Sequence, residues 1–203
     1  MSIFKFNKNL NQLNKQLIWD FWHHQNWLNS SWLQEQLSSI QHPDASWFGF
    51  SPINELEGIE AQIEEFWRPF LRAFSKLERQ THIFMGGTSS GKVDGSSDNR
   101  YWVGATGLFN GFFQQDWCIG SLNIPANNKS IEIRWAEFFR FEDQKIIETY
   151  LMLDLVDFLE QSGHAILPPS KGVPQIYPAP ISQEGVLLDK QEQADTEASL
   201  QLI

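Results

Sequence analysis

The chain has 203 residues, enough for one domain with a substantial core, and its formal net charge is −10. It carries no Lys/Arg cluster that would neutralise a row of phosphates, which argues against nucleic-acid binding. No apolar run approaches the roughly 20 residues that cross a bilayer, the start Met1 to Lys8 lacks a signal-like stretch, and the lone Cys118 permits no internal disulfide, so we expect a cytoplasmic protein without a membrane partner and a buried, inert Cys118.

The first third reads helical. Leu10, Leu13, Leu17 and Phe21, then Trp27 and Leu28, recur at spacings of three and four. Ile59, Ile63, Phe66, Trp67 and Phe70 do the same after the Ser51-Pro52 break, and both stretches are expected to cover one side of a sheet. His23 and His24 are adjacent and so point about 100° apart on a helix, and neither has a His or carboxylate four residues further on; Asp20 and His23 read as a solvated polar pair, and no metal site is expected. His82 to Met85 and Tyr101 to Phe109 read as strands, joined by a long exposed loop from Gly86 to Asn99. Gly86 to Lys92 matches seven positions of a phosphate-cradling loop. The match ends at Val93, where a magnesium-binding hydroxyl belongs, and the Asp/Gly/Ser run beyond it cannot start the helix such a loop needs.

The most informative stretch is Arg134 to Gly163. Ile131, Ile133, Trp135, Phe139 and Phe141 alternate as a half-buried strand requires, Glu142 to Lys145 supplies a polar turn, and a second strand runs to Leu153. Leu155, Val156, Phe158 and Leu159 then recur at helical spacing, which leaves Asp154 at a strand-to-helix junction. Asp there either caps the helix or, if it projects into apolar surroundings, loses hydration and gains the raised pKa of a proton-transfer group. Glu137 shares the apolar face with Trp135 and Phe139, so it is either paired with an arginine or functional. Arg134, Phe138 and Arg140 fall on the opposite face, available to a partner strand or subunit.

The run Arg140, Phe141, Glu142, Asp143, Lys145, Ile146, Glu148, Tyr150, Asp154, Leu155, Leu159, Gln161 and Gly163 resembles the end of SnoaL-like polyketide cyclases. The resemblance continues upstream through Leu17 to Trp27, Asp44 to Gly49, Glu57 to Trp67, Pro69 to Phe74 and Gly120 to Ile131. It implies an α+β domain similar to nuclear transport factor 2 over residues 1–165, with a curved mixed sheet wrapped around N-terminal helices to form a cone with an apolar pocket. Residues 166–203 then form a tail, proline-rich and extended from Leu167 to Pro180 and acidic from Asp189, where a short helix or the start of a further domain is expected.

The resemblance also implies chemistry: an aldol-type ring closure or isomerisation of a mostly apolar carbonyl compound, with Asp154 abstracting the proton and neither metal nor organic cofactor taking part. Glu137 is the second catalytic candidate. The expected pocket lining is Trp47, Trp67, Phe70, Trp102, Trp135 and Tyr150, in keeping with nine Trp and sixteen Phe. The chain departs from the family at Gly104-Ala105-Thr106-Gly107, since many members carry a histidine where Ala105 stands. A different role therefore stays open, a non-catalytic domain that binds an apolar small molecule or serves dimerisation through the sheet face.

Overall fold

A computed structural model describes residues 8–89, 100–164, 166–168, 171 and 179–202. Helices α1 (Lys8–His23) and α2 (Ser30–Ile40) precede strand β1 (Gln41–Phe48) and the short β2 (Glu55–Glu57). A helix from Gly58 to Ala73 follows, in which α3 (Gly58–Ala61) and α4 (Arg68–Ala73) flank a wide turn, Gln62–Trp67. That turn closes with the Arg68 N–H on the Ile63 carbonyl, one residue beyond the usual spacing, and the widening carries the helix past Pro69, which has no N–H to give. Next come β3 (Phe74–Thr88), β4 (Tyr101–Phe113), a small hairpin of β5 (Trp117–Ile119) and β6 (Leu122–Ile124), the long hairpin of β7 (Ser130–Glu142) and β8 (Lys145–Leu153), α5 (Leu155–Gln161) and α6 (Gln193–Gln201).

The main sheet has the order β2-β1-β8-β7-β4-β3, and only the β1–β8 pairing is parallel. Along β7 the residues Ile131, Ile133, Trp135, Glu137, Phe139 and Phe141 point inward, as their spacing requires. Asp143 and Gln144 both take left-handed backbone angles (φ 47° and 61°), a turn whose twist suits two antiparallel strands. The helices pack on the inner face, and rings form most of what lies between. Phe70 is a hub, with ring centroids at 5.4 Å from Phe66, 5.0 Å from Phe74, 5.3 Å from Phe109 and 5.3 Å from Trp117. Each such ring contributes about 2–3 kcal/mol by leaving water.

Three expectations need correction. The inward face of α1 is Asn14, Lys15, Ile18, Phe21 and Trp22, while Leu13 is 57% exposed. The helix is rotated because Lys15 can be buried: its Nζ donates to the carbonyls of Leu187 (2.7 Å) and Asp189 (2.9 Å), supplied by the C-terminal segment. Cys118 is exposed, because alternation in β5 sends Trp117 and Ile119 inward instead, and its Sγ lies 3.2 Å from Asn123 Oδ1. His23 stacks on Trp19 and turns Nδ1 to the Trp19 carbonyl; Asp20 takes a hydrogen bond from Gln16.

Residues 185–187 add a short parallel segment to the free edge of β3. Phe84 N–H donates to Gly185 O and Leu187 N–H to Phe84 O, both at 2.8 Å. Most of the Leu167 to Pro180 stretch, and positions 90–99 of the expected loop, lie outside the described residues.

Candidate functional site

Strand alternation alone carries a charge pair into the interior. Glu137 points inward from β7, and Arg79 points inward from β3 between Leu77 and Thr81. Both side chains are 2% exposed, and Arg79 Nη1 donates to Glu137 Oε2 at 2.9 Å. Rings surround the guanidinium: its centre lies 4.3 Å from the Trp22 ring centroid, 4.5 Å from Trp135, 4.7 Å from Phe109 and 5.9 Å from Trp27. Cation–π attraction therefore replaces part of the hydration that the arginine gave up.

The polar atoms of this box are unevenly satisfied. Arg79 Nε and Nη2 and the indole N–H of Trp135 are buried without an acceptor among the described residues. The Trp22 indole N–H is close enough to Glu137 to favour its charged form, without closing a hydrogen bond of ordinary geometry. Burial pushes the Glu137 carboxyl above the usual carboxylate range, while the Arg79 charge, the Arg79 hydrogen bond and Trp22 pull the other way and only partly offset it. Burial likewise lowers Arg79, against the pull of Glu137. A guanidinium does not give up its proton in a protein, so Glu137 is the member of the pair whose protonation can change. The site is thus a half-used cluster of N–H donors around one carboxylate.

The β4 side of the site is small by necessity. Ala105 stands directly opposite Glu137 in the β4–β7 register and is buried, so a methyl group occupies the position where a histidine was the familial expectation. Gly107 stands opposite Trp135, and a Cβ there would fall 1.8 Å from the Gln80 carbonyl oxygen and 2.8 Å from the Trp135 ring. Only glycine lets the two strands and the indole share that space.

Asp154 lies elsewhere. Its Oδ1 accepts from the Asp157 N–H at 3.1 Å, capping α5, and its Oδ2 faces Arg134 Nη2 at 2.7 Å and Nε at 3.0 Å. Asp157 is also within 3.7 Å of Arg134, and the Asp154 side chain is 31% exposed. Arg134 is on the β7 face opposite Glu137, so the two carboxylates singled out from sequence are not brought together.

The six expected lining residues divide in the same way. Trp47, Trp67, Phe70 and Trp135 are interior, but Trp47 and Trp67 pack on Phe66 (5.0 and 4.8 Å) and not among the rings around the Arg79 guanidinium. Trp102 and Tyr150 sit on the outer face, 6.0 Å apart, because Tyr101, Val103, Thr149 and Leu151 take the inward positions of their strands. There Tyr150 stacks on Phe48 at 4.8 Å and donates to Glu148 Oε2 at 2.8 Å. Burial, then that bond and the Glu148 charge, push its hydroxyl up to about 12.

A separate cleft of about 380 Å³ opens where β1, β7 and β8 meet, lined by His42, Asp44, Arg140, Lys145, Ile147 and Glu148 among others. Arg140 and Glu148 pair across it. Its mixed charges favour no ligand class. Among the described residues no three His, Cys, Asp or Glu side chains gather as a metal site would require. Gly86 and Gly87, from the apparent phosphate motif, are strand residues paired with Val103 and Trp102. Arg79 is the site residue that sequence reading missed; the available signal was its place between Leu77 and Thr81 at a spacing of two.

No family model matches the chain, nor does any curated protein sequence. Solved structures do. A SnoaL-like polyketide cyclase from Jannaschia sp. CCS1 is 16% identical with a TM-score of 0.59, covering 81% of this chain and all of its own. AclR, a hydroxylase from Streptomyces galilaeus, is 17% identical at 0.53, over 76% of this chain and 97% of its own. A polyketide cyclase from Xanthomonas campestris is 14% identical at 0.53, over 75% and 98%. All three activities are provisional descriptions of those proteins, and they differ, so the likeness speaks to architecture. With its helices laid on the inner face of a curved mixed sheet, this chain has the fold of the SnoaL-like polyketide cyclases and of nuclear transport factor 2-like proteins.

Proposed function

We propose that this domain binds a small, mostly apolar molecule carrying carbonyl or acidic oxygens, received in the ring-lined interior beside Arg79 and Glu137. The observation that carries this reading is the set of buried N–H donors, Arg79 Nε and Nη2 and the indoles of Trp22 and Trp135, that find no acceptor of ordinary geometry among the described residues. Buried donors are seldom left so, and a ligand oxygen would satisfy them where an aromatic or aliphatic body would meet rings. Asp154 fits a structural role here, since its lone pairs serve the α5 cap and Arg134. The outer face, where Phe138 (37% exposed) and Met152 (54%) are uncovered, is the surface through which a homodimer would form.

A second reading has one observation in its favour. Burial raises the proton affinity of Glu137, as a general base or acid requires, which fits a cofactor-independent cyclase or isomerase working by aldol-type proton abstraction. In that reading Glu137 takes the proton, Arg79 and the indoles hold the resulting enolate oxygen, and Asp154, the base first expected, fixes the end of β8.

Native mass spectrometry after incubation with an extract of apolar metabolites separates the two. Wild type, Asp154→Asn and Glu137→Gln are run in parallel. A compound retained unchanged by wild type and Asp154→Asn but lost from Glu137→Gln supports the binding domain. An isomeric product released by wild type and absent with Glu137→Gln supports the enzyme. Product lost only with Asp154→Asn would return the chemistry to Asp154, and no retained compound in any sample would sink the binding reading.

A further inference from the structure

The C-terminal segment is held at the α1–β3 edge by contacts that reach from both sides. Phe84 exchanges two backbone hydrogen bonds with Gly185 and Leu187. Lys15, 2% exposed, donates to the carbonyls of Leu187 and Asp189, Gln12 Nε2 donates to Leu188 O, and Lys190 Nζ donates to Asn9 Oδ1 at 3.1 Å. Val186 and Leu188 pack against the edge of the core. Gly185 is shaped for this berth, since a Cβ there would lie 2.6 Å from the His82 carbonyl oxygen. A strap with so few side chains buried, held chiefly through its carbonyls, is of the kind that opens locally without unfolding the domain.

What the strap covers connects it to the interior. The Phe84 ring is fully buried and meets Trp22 edge-on at 5.9 Å; Trp22 in turn lies against the Arg79 guanidinium and 5.3 Å from Trp135. Phe84 also meets Trp19 on α1 at 5.2 Å, so the strap pins the residue that joins α1 to β3 beside the donor cluster.

We propose that Gly185–Asp189 is a releasable strap that keeps the interior site closed, and that its release frees Phe84 and α1 to admit a ligand between Trp22 and Trp135. The inference rests on the reading of that interior as a ligand site. It adds a control: the apparent affinity falls by the fraction of molecules whose strap is docked, so ligand and strap oppose one another.

The 203-residue chain is compared with Gly185→Val, which cannot fit against His82, and Lys15→Met, which removes two strap bonds. Amide hydrogen exchange at Phe84 and Leu187 reports release, and titration with anilinonaphthalene sulfonate, an aromatic acid, reports access. We expect exchange at both amides to quicken and the dye to bind about tenfold or more tightly in both variants, as removal of a closed state predicts. Adding the double change Arg79→Met, Glu137→Leu to either variant abolishes that binding. Faster exchange with dye affinity unchanged, yet still dependent on the Arg79 pair, overturns the strap and leaves the binding reading standing. Dye binding that ignores the Arg79 pair, or is absent throughout despite faster exchange, sinks the interior reading and the strap with it. Unchanged exchange in both variants shows the segment to be fixed structure and overturns the strap alone.

Discussion

Arg79 and Glu137 decide most of what can be asked at the level of single residues. Removing one partner leaves the other charged or unsatisfied in a buried site, whereas replacing both with apolar groups of similar size removes the problem. We expect Glu137→Leu alone to cost about 3–5 kcal/mol in denaturant unfolding, and Arg79→Met with Glu137→Leu to lie within about 1 kcal/mol of wild type. Equal losses for single and double variants would mean that the rings, not the charges, hold this region. Asp154 should behave as a cap. Asp154→Ala is expected to lose about 1–2 kcal/mol while Asp154→Ser loses less, because the bond to the Asp157 N–H outweighs an ion pair with Arg134 that water and salt screen. Tyr150 supplies a pH test with a definite sign. Its folded pKa is raised from 10.0 to about 12, so its share of stability is complete below the ordinary tyrosine range and is lost as pH rises through the folded value. Tyrosinate absorbance of the folded protein should contain a component titrating near 12 that Tyr150→Phe deletes.

Among the elements, the β7–β8 hairpin was the most legible, and the reason is local. Its alternation from Ile131 to Phe141, its polar turn and the capping carboxylate are all written within some thirty consecutive residues. The side of α1 that turns inward was not legible. Lys15 reads as solvent-facing on any helical wheel, and what buries it is the backbone of residues 172 and 174 positions further on. Arg79 was hidden likewise: it sits in a polar stretch, Glu78-Arg79-Gln80, and its partner is 58 residues away. The missing histidine at Ala105 was visible, but not that β4 has so little room two residues on, at Gly107. Gly107 tests that crowding: with a Cβ 1.8 Å from Gln80 O, Gly107→Ala should separate β3 from β4 and cost several kcal/mol in thermal unfolding, far above the ordinary ~1 kcal/mol for a substitution. A near-neutral result would show that the β3 irregularity between Thr81 and Ile83 absorbs the strain.

For the molecule as a whole, the outer face bears the prediction. Phe138→Asp is expected to convert the proposed dimer to a monomer in sedimentation velocity without shifting its unfolding midpoint per chain; a wild type that is already monomeric would remove the outer face as an interface. One more consequence follows from the sheet order, in which β8 lies between β1 and β7. Until residues 145–153 have left the ribosome, β1 with β2 and β7 with β4 and β3 are two separate fragments with no strand between them. The nascent chain must therefore wait, its first strand unpartnered on one side for about a hundred residues of synthesis, and then close by inserting a strand into the middle of the sheet rather than adding one to its margin. Chains stalled before Leu153 should be open to proteases along their whole length, and those stalled beyond Gln161, once clear of the exit tunnel, should abruptly become resistant.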